Sequence, residues 1–181
     1  MGLDPGTGHG VLRFEDLSEG ATSLELALTA EDLSVARDEL EMEPAVAASL
    51  RVYRAGETFT LTGQLRWVVT GECYRCLAPA TAAQAVSVRL VIQRRRAAVD
   101  EQRAVAEDDE AALCDPGVQA FDLRPWLREI ILVESPIRIA CREACPGLCP
   151  TCGSDLNQGP CPCNTAPADP RWAALKEVRF T

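Results

Sequence analysis

Cysteine spacing is the feature of this sequence that most directly indicates chemistry. Six of the nine cysteines lie between Cys141 and Cys163, and one further pair, Cys73 and Cys76, lies earlier in the chain. Within each pair, one to three residues separate the two cysteines. That separation lets neighbouring sulfurs reach one ion, and tetrahedral zinc takes four thiolates. The spacing therefore predicts zinc sites.

The cysteines can be divided between zinc sites in more than one way. Cys149-Pro-Thr-Cys152-Gly has the form of a zinc knuckle, because the glycine allows a sharp turn that aims amide groups at sulfur. The Cys161–Cys163 pair would complete this site, and the other four cysteines would form a second one. An alternative joins the earlier pair to the two knuckle cysteines. We favour the two-site division, which leaves Cys114 single and uses Cys73, Cys76, Cys141, Cys145, Cys149, Cys152, Cys161 and Cys163.

The remaining residues give little support for catalysis. A zinc ion held by four thiolates has no open position for a substrate, and catalytic zinc often uses histidine. The single histidine, His9, lies in a glycine-rich stretch, and no Ser/His/Asp set or phosphate-binding glycine loop is evident. We therefore expect structural zinc and no enzymatic activity. The alternative is a thiol-redox or metal-responsive regulator that uses the Cys73–Cys76 pair.

Charge and hydropathy restrict the location and the partners. The formal net charge is −9, and four thiolates around Zn²⁺ would add two negative charges per site, so a polyanion is a poor non-specific partner. No secretory signal or membrane span is evident in the sequence. We therefore expect a cytoplasmic protein with reduced cysteines.

Hydrophobic periodicity predicts the elements that position the cysteines. Alternating apolar residues predict strands at 24–28 and 50–52, and a long hairpin with arms Phe59–Val69 and Val86–Ile92. The Cys73–Cys76 turn would then cap this hairpin. A helical apolar stripe over residues 121–133 is expected to pack against the sheet. The predicted fold is α+β, a β-rich antiparallel sheet or partial barrel packed by a helix, with a zinc-binding C-terminal segment.

The domain organisation follows from these elements. We expect a flexible N-terminus over residues 1–20, a β-rich domain over 21–140 with an acidic loop at 99–116, and a cysteine-rich segment over 141–181. Asp169-Pro170-Arg171 would begin a short C-terminal helix in that last segment. The basic run Arg94, Arg95 and Arg96 is a possible RNA contact, although such a run beside an acidic loop is more often a solvated strand end.

Several of these motifs, taken in order, resemble the YceD family, the large ribosomal RNA subunit accumulation proteins. The resemblance runs from about Gly20 to Val178. Members commonly have Asn where this chain has Asp155. The matching motifs are Cys73-x-Arg75-Cys76-Leu77, Asp122-Leu123-x5-Glu129, Pro136, the run from Cys141 to Asn157, Cys161-x-Cys163, and Asp169-Pro170-Arg171.

The resemblance implies a role in accumulation of large-subunit ribosomal RNA, without an established catalytic activity. Two mechanisms remain open at this point. The chain could contact the large-subunit rRNA precursor directly, through Arg94–Arg96 and the sheet. It could instead hold a basic protein of large-subunit assembly, or a processing enzyme, through its acidic surface. The net charge of −9 favours the second mechanism.

Overall fold

A sheet of long strands and one α-helix provide most of the regular structure. The computed structural model describes residues 10–96, 111–163 and 171. A 3-10 turn at Phe14–Asp16 follows the first strand. The strands are β1 (Val11–Arg13), β2 (Gly20–Thr29), β3 (Ala45–Ala55), β4 (Thr58–Glu72), β5 (Pro79–Arg94), β6 (Ala111–Cys114) and β7 (Ala120–Asp122), and the helix is α1 (Arg124–Glu134). The fold is α+β with far more strand than helix, as the sequence predicted.

The larger sheet has the strand order β2-β3-β4-β5-β6, and β1 pairs antiparallel with β7 in a separate two-stranded sheet. Strands β2 to β5 are antiparallel to their neighbours, whereas β6 runs parallel to β5. The prediction of an antiparallel sheet is thus confirmed for β2 to β5 and wrong for β6. Because β2 and β6 lie at opposite ends of the order, the described strands form an open sheet and do not close into a barrel.

Strands β4 and β5 form a hairpin that carries the first cysteine pair. Their register runs from Thr58↔Gln93 to Glu72↔Pro79. The predicted arms lie inside these strands, and both strands continue beyond the predicted arms toward the turn. Because the pairing ends at Glu72, Cys73 and Cys76 lie in the turn itself, as the sequence predicted.

One face of the sheet packs against α1 and forms the core. In α1 and at its cap, Leu123, Leu127 and Ile131 are fully buried. Trp67 Nε1 donates a hydrogen bond of 2.9 Å to Ser135 Oγ, which holds the end of the helix against β4. Packing of the apolar helix face against the sheet stabilises the fold by roughly 25 cal/mol per Å² of apolar surface buried. The alternating face of β4 predicted to be apolar is buried as well: Phe59, Leu61, Leu65, Trp67 and Val69.

The helix begins later than the predicted span of 121–133. Phe121 and Asp122 belong to β7, and Leu123 occupies the N-cap position. Asp122 Oδ1 accepts a hydrogen bond of 3.0 Å from the Arg124 N–H, so the aspartate supports the helix start from just before the cap. Within residues 10–96 and 111–163, no helix has the length and apolar character that crossing a membrane requires.

Part of the N-terminal segment predicted to be flexible, residues 1–20, contributes to the fold, because residues from 10 onward include β1 and core side chains. Leu12, Phe14 and Leu17 are at most 3% exposed, and the ring centroids of Phe14 and Phe59 lie 4.6 Å apart. The charged residues Arg13, Glu15 and Asp16 separate these apolar side chains in the sequence. Because the packing partner Phe59 lies far along the chain, no local pattern identifies them. Residues 1–9 lie outside the described part of the chain.

The acidic loop predicted over 99–116 ends in a strand. β6 pairs with the end of β5, from Val91↔Ala111 to Arg94↔Cys114. This pairing covers backbone groups at the edge of β5 that would otherwise face solvent. The acidic centre of the predicted loop lies outside the described residues, and so does the predicted C-terminal helix apart from Arg171.

The close approach of β3 and β4 gives a test of the sheet. Gly63 faces Leu50 across the two strands, and a Cβ at Gly63 would lie 2.8 Å from Leu50 Cα. We expect Gly63→Ala to lower the free energy of unfolding by about 2–3 kcal/mol, because backbone atoms must move to admit the methyl group. Urea denaturation measures this change.

The matched control is Thr62→Ala, the next residue on β4, which is exposed on the opposite face. Its cost should stay below about 1 kcal/mol, because it removes little packing. Equal stability changes in the two variants would contradict the close strand approach at Gly63.

Candidate metal centres

The first cysteine cluster joins the hairpin turn to the segment that follows α1. The turn is closed by a hydrogen bond of 2.8 Å from Cys73 N to Ala78 O and one of 2.9 Å from Leu77 N to Cys73 O. The later segment docks on this turn through a bridge between Cys73 and Ile139, and Tyr74 N donates to Ile139 O at 2.9 Å. This docking brings the Cys141–Cys145 pair beside the turn.

The four sulfurs of this cluster, which we call the tip tetrad (Cys73, Cys76, Cys141 and Cys145), lie within 4.8 Å of one another. The Sγ atoms of Cys73 and Cys145 are 3.9 Å apart, and those of Cys76 and Cys141 are 3.7 Å apart. All but Cys141 are buried, and all nine cysteines of the chain are free thiols.

This geometry fits zinc. With Zn–S bonds of about 2.3 Å, tetrahedral coordination places sulfurs about 3.8 Å from one another. The sulfur–sulfur distances of 3.7 Å for Cys76–Cys141 and 3.9 Å for Cys73–Cys145 bracket that value. A cluster of buried thiols also favours a cation, because several thiolates cannot ionise close together without one. The donor set of four sulfurs is that of a structural zinc site.

Hydrogen bonding divides the tip tetrad into thiols that ionise readily and thiols that do not. The backbone N–H of Cys141, with those of Cys76 and Arg75, lowers the pKa of Cys73 to about 6. The Asn157 side chain lowers the pKa of Cys145. Hydrogen bonding to Cys145, together with burial, raises the pKa of Cys141 to about 12. The tip tetrad therefore combines thiols with lowered pKa values and a thiol with a raised pKa.

Asn157 acts on the tip tetrad from the loop of the other cysteine cluster. Its Nδ2 donates to Cys145 Sγ at 3.4 Å and to Asp155 Oδ1 at 2.6 Å. Its Oδ1 accepts a hydrogen bond of 2.6 Å from Arg142 Nη2. The side chain is thus held from both ends while one N–H faces the sulfur, which is the arrangement of an outer-shell donor that orients a ligand.

The second cluster, the knuckle tetrad (Cys149, Cys152, Cys161 and Cys163), also has its sulfurs within 4.8 Å of one another. The knuckle turn is closed by hydrogen bonds from Cys149 N to Ser154 O at 2.8 Å and from Gly153 N to Cys149 O at 2.9 Å. Gly153 has a φ of 74°, a left-handed conformation that favours glycine. The glycine thus allows the sharp turn that the sequence predicted.

Ionisation in the knuckle tetrad follows the same division. The backbone N–H of Cys152, with that of Thr151, lowers the pKa of Cys149 to about 6. The Ser154 hydroxyl lowers the pKa of Cys152. Hydrogen bonding to Cys152 raises the pKa of Cys163 to about 12. Each tetrad thus contains two thiols whose pKa is lowered, Cys73 and Cys145 in one and Cys149 and Cys152 in the other.

The two tetrads are joined by contacts to Arg75. Its carbonyl oxygen accepts a hydrogen bond of 3.1 Å from Leu148 N, beside the knuckle. Its Nη1 donates to the Cys145 carbonyl at 2.8 Å. A Cβ at Gly147 would lie 3.0 Å from the Arg75 carbonyl oxygen, so the chain passes close to the hairpin turn here. The sequence motif contains Arg75, but only the structure gives it this bridging role.

The eight cysteines fall into the two groups that the sequence favoured, and not into the alternative that joins Cys73 and Cys76 to the knuckle pair. Cys114 lies apart from both groups, half-buried at the end of β6. Burial raises the pKa of its thiol. The contact of Asn157 with Cys145 was not predicted, since the sequence motif contains Asn157 but does not indicate which sulfur it faces.

The arginine run does not form a shared basic face. The side chain of Arg94 is 12% exposed, and its Nη1 lies 3.1 Å from Glu57 Oε2. Its Nη2 donates to the Pro116 carbonyl at 2.8 Å, and its guanidinium lies 4.7 Å from the Phe14 ring centroid. These contacts engage the Arg94 guanidinium within the fold, and its possible contact with RNA stays an untested prediction.

Arg95 and Arg96 differ from Arg94 in their surroundings. Arg95 is exposed, and its Nε donates to Gln93 Oε1 at 3.0 Å. The Arg96 side chain is 87% exposed, with Nε 3.7 Å from Asp115 Oδ2. For these two residues an RNA contact stays a prediction.

Metal content tests the two tetrads directly. We expect two zinc ions per chain in native mass spectrometry of protein made with zinc present, and one in Cys163→Ser, because each tetrad supplies four thiolates. The matched control, Cys114→Ser, should retain two. Protein without metal whose cysteines form reversible disulfides would contradict this prediction and favour the thiol-redox alternative.

The Asn157 contact gives a second test. We expect Asn157→Ala to lower the affinity for one of the two zinc ions about tenfold, as measured by competition with a chelator. The reason is that loss of an outer-shell donor weakens metal binding. The control is Gln158→Ala. Gln158 is the next residue, its Nε2 donates to Asp155 Oδ2 at 3.5 Å, and it contacts no sulfur among the described residues. If both variants release zinc alike, Asn157 does not support the tip tetrad.

Comparison with known proteins gives consistent matches. An uncharacterized protein of Mycobacterium tuberculosis is 33% identical over 129 residues, covering 71% of this chain and 59% of the relative. An uncharacterized protein of Mycobacterium leprae is 26% identical over 139 residues, covering 77% and 61%. A chloroplastic protein of Arabidopsis thaliana, described as large ribosomal RNA subunit accumulation protein YCED homolog 1, is 31% identical over 64 residues, covering 35% and 20%.

This chain aligns with about three fifths of the length of the mycobacterial relatives, and no solved structure gives a significant match. The sequence model of the family described as large ribosomal RNA subunit accumulation protein YceD matches residues 61–179. That region contains most of the long hairpin, helix α1 and all eight clustered cysteines, and the chain therefore belongs to the YceD family.

Proposed function

We propose that this chain supports the accumulation of large-subunit ribosomal RNA during ribosome biogenesis, as a factor without catalytic activity. The observation that carries the proposal is the YceD match over residues 61–179. The Arabidopsis relative, whose description names the same process, adds support. A cytoplasmic location, expected from the sequence, stays a prediction.

The tetrads support a non-catalytic role for the metal. Four sulfurs per site would complete the coordination of zinc, so no position would remain for a substrate or a reactive water. The tip tetrad joins chain segments about 70 residues apart, as the 72-residue separation of Cys73 and Cys145 illustrates. We therefore propose that zinc has a structural role, in which it fixes the cysteine-rich segment to the hairpin turn.

Charge supports a protein partner. The chain has a formal charge of −9, which zinc–thiolate centres would make more negative. Arg94 is engaged inside the fold, so the arginine run offers less positive charge than its sequence suggests. We propose that the chain binds a basic protein of large-subunit assembly, and that its effect on the rRNA follows from that protein's placement or protection.

Depletion of the protein in its own cells tests the proposed function. We expect the ratio of large-subunit to small-subunit rRNA to fall, and expression of the unchanged chain to restore it. Crosslinking and recovery of the tagged protein should give a basic large-subunit protein as the main contact. A normal rRNA ratio after depletion would contradict the proposed function. Direct crosslinks to rRNA alone would contradict the proposed partner.

A further inference from the structure

An acid-rimmed groove lies beside the hairpin turn, between the end of β4 and the segment after α1. Its volume is about 420 Å³, within the range of ligand-binding clefts. We propose that this groove binds a basic peptide segment with one apolar anchor side chain, supplied by a partner protein. This inference rests on the proposed function and deepens it, because it states where the basic partner would bind.

Backbone geometry opens the groove. Pairing of β4 with β3 ends at Ala47↔Arg66. Beyond that point, residues 41–43 contact the same edge of β4. Thr70 N donates to Glu41 O and Glu43 N donates to Val68 O, both at 2.9 Å. The next contact on this edge is the bridge between Cys73 and Ile139. The groove lies where these two strips of chain separate.

Gly71 forms part of the groove floor. A Cβ at this position would lie 3.4 Å from Ile139 Cδ1 and 3.8 Å from Glu41 Oε2. The apolar Ile139 and the Glu41 carboxylate therefore lie close together across the glycine. A ligand in the groove would meet an apolar floor with a negative charge at its side.

The charges of the groove favour a cation. Its lining contains three carboxylates and one guanidinium, those of Glu39, Glu41, Glu72 and Arg138. Glu39 is engaged by Arg128 and by the Ala36 N–H, and these contacts hold the pKa of Glu39 below its usual range. Glu41 and Glu72 are exposed and form no ion pair with described residues. These two carboxylates are thus available to lysine or arginine from a partner.

Apolar side chains at the rim indicate an anchor as well as charge. Ile137 is fully exposed and Tyr74 is 46% exposed, and both line the groove together with Leu40 and Leu132. Large apolar residues grouped at a concave site are typical of binding surfaces. Burying Ile137 and Tyr74 under one apolar side chain would add contact area that an RNA backbone cannot supply.

The tip tetrad positions one wall of this groove. Tyr74 lies directly after Cys73 and donates its backbone N–H to Ile139 O at 2.9 Å. The Tyr74 hydroxyl accepts a hydrogen bond of 2.6 Å from Arg75 Nε, and the Arg75 guanidinium lies 5.2 Å from the Tyr74 ring centroid. The structure that holds the cysteines therefore also orients the aromatic side chain at the rim.

Fluorescence anisotropy of a labelled peptide tests the proposal. The probe is a short synthetic peptide with lysines and arginines around one phenylalanine, titrated with the full zinc-loaded chain. We expect Glu41→Lys and Glu72→Lys each to weaken binding about tenfold or more, because they replace attraction by repulsion. Ile137→Ser should weaken binding several-fold, as should replacement of the peptide's phenylalanine by alanine.

Matched controls separate the groove from the general negative field. Glu25→Lys makes the same change of charge on exposed β2, and Val118→Ser removes an exposed apolar side chain elsewhere. Both should bind the peptide as the unchanged chain does. An equal loss in Glu25→Lys, unchanged binding in the groove variants, or no binding to the unchanged chain would overturn the proposal. So would single-stranded poly(U) that competes for the groove more strongly than the peptide.

The same variants in depleted cells distinguish the two proposals. If the rRNA ratio falls on depletion and the Glu41→Lys, Glu72→Lys double variant restores it fully, the groove proposal is wrong while the proposed function stands. If depletion leaves the ratio unchanged, the proposed function is wrong whatever the peptide titration shows. If Glu25→Lys restores the rRNA ratio and the Glu41→Lys, Glu72→Lys double variant does not, both the groove proposal and the proposed function are supported.

Discussion

The convergence of four thiols at the turn of the β4–β5 hairpin is the constraint on which the C-terminal part of this molecule depends. Sulfur atoms from residues 72 positions apart in sequence lie 3.9 Å from each other, and such a cluster is stable only if a cation balances its charge or its thiols stay protonated. The pKa of Cys73 is lowered and that of Cys141 is raised, as expected where neighbouring thiols cannot all ionise together. A bound zinc ion would remove this conflict, since each thiolate would then face a positive ion.

This constraint matters because residues 141–163 have little apolar core of their own. Among the described residues of that segment, Cys145 and Cys149 are the buried apolar side chains, whereas the sheet and α1 enclose a continuous core. A segment with so little buried surface cannot offset its loss of chain entropy by packing alone. Metal binding and folding of the segment should therefore be coupled, while the sheet depends on its own packing.

Sequence predicted best where local pattern and chemistry agree. Strict alternation gave the β4–β5 hairpin, and cysteine spacing gave both tetrads. It failed where long-range contacts decide the outcome. Phe14 is a core residue because it packs on Phe59. Arg94 is largely buried because its guanidinium contacts the Glu57 carboxylate and the Pro116 carbonyl. Strand β6 was not predicted, because the acidic run that precedes it made the whole region resemble a loop. The motif contained Asn157 but not its role, because that role depends on Cys145, a sulfur from a different cysteine pair.

The position of the tip tetrad also bears on the charge of the groove. Four thiolates around Zn²⁺ keep a charge of about −2, and Tyr74, which lines the groove, is adjacent to Cys73 in the chain. The metal centre would thus add to the field of Glu41 and Glu72 rather than oppose it. A structural zinc site can in this way influence partner choice without contacting the partner, since its thiolates fix both the shape and the sign of the neighbouring surface.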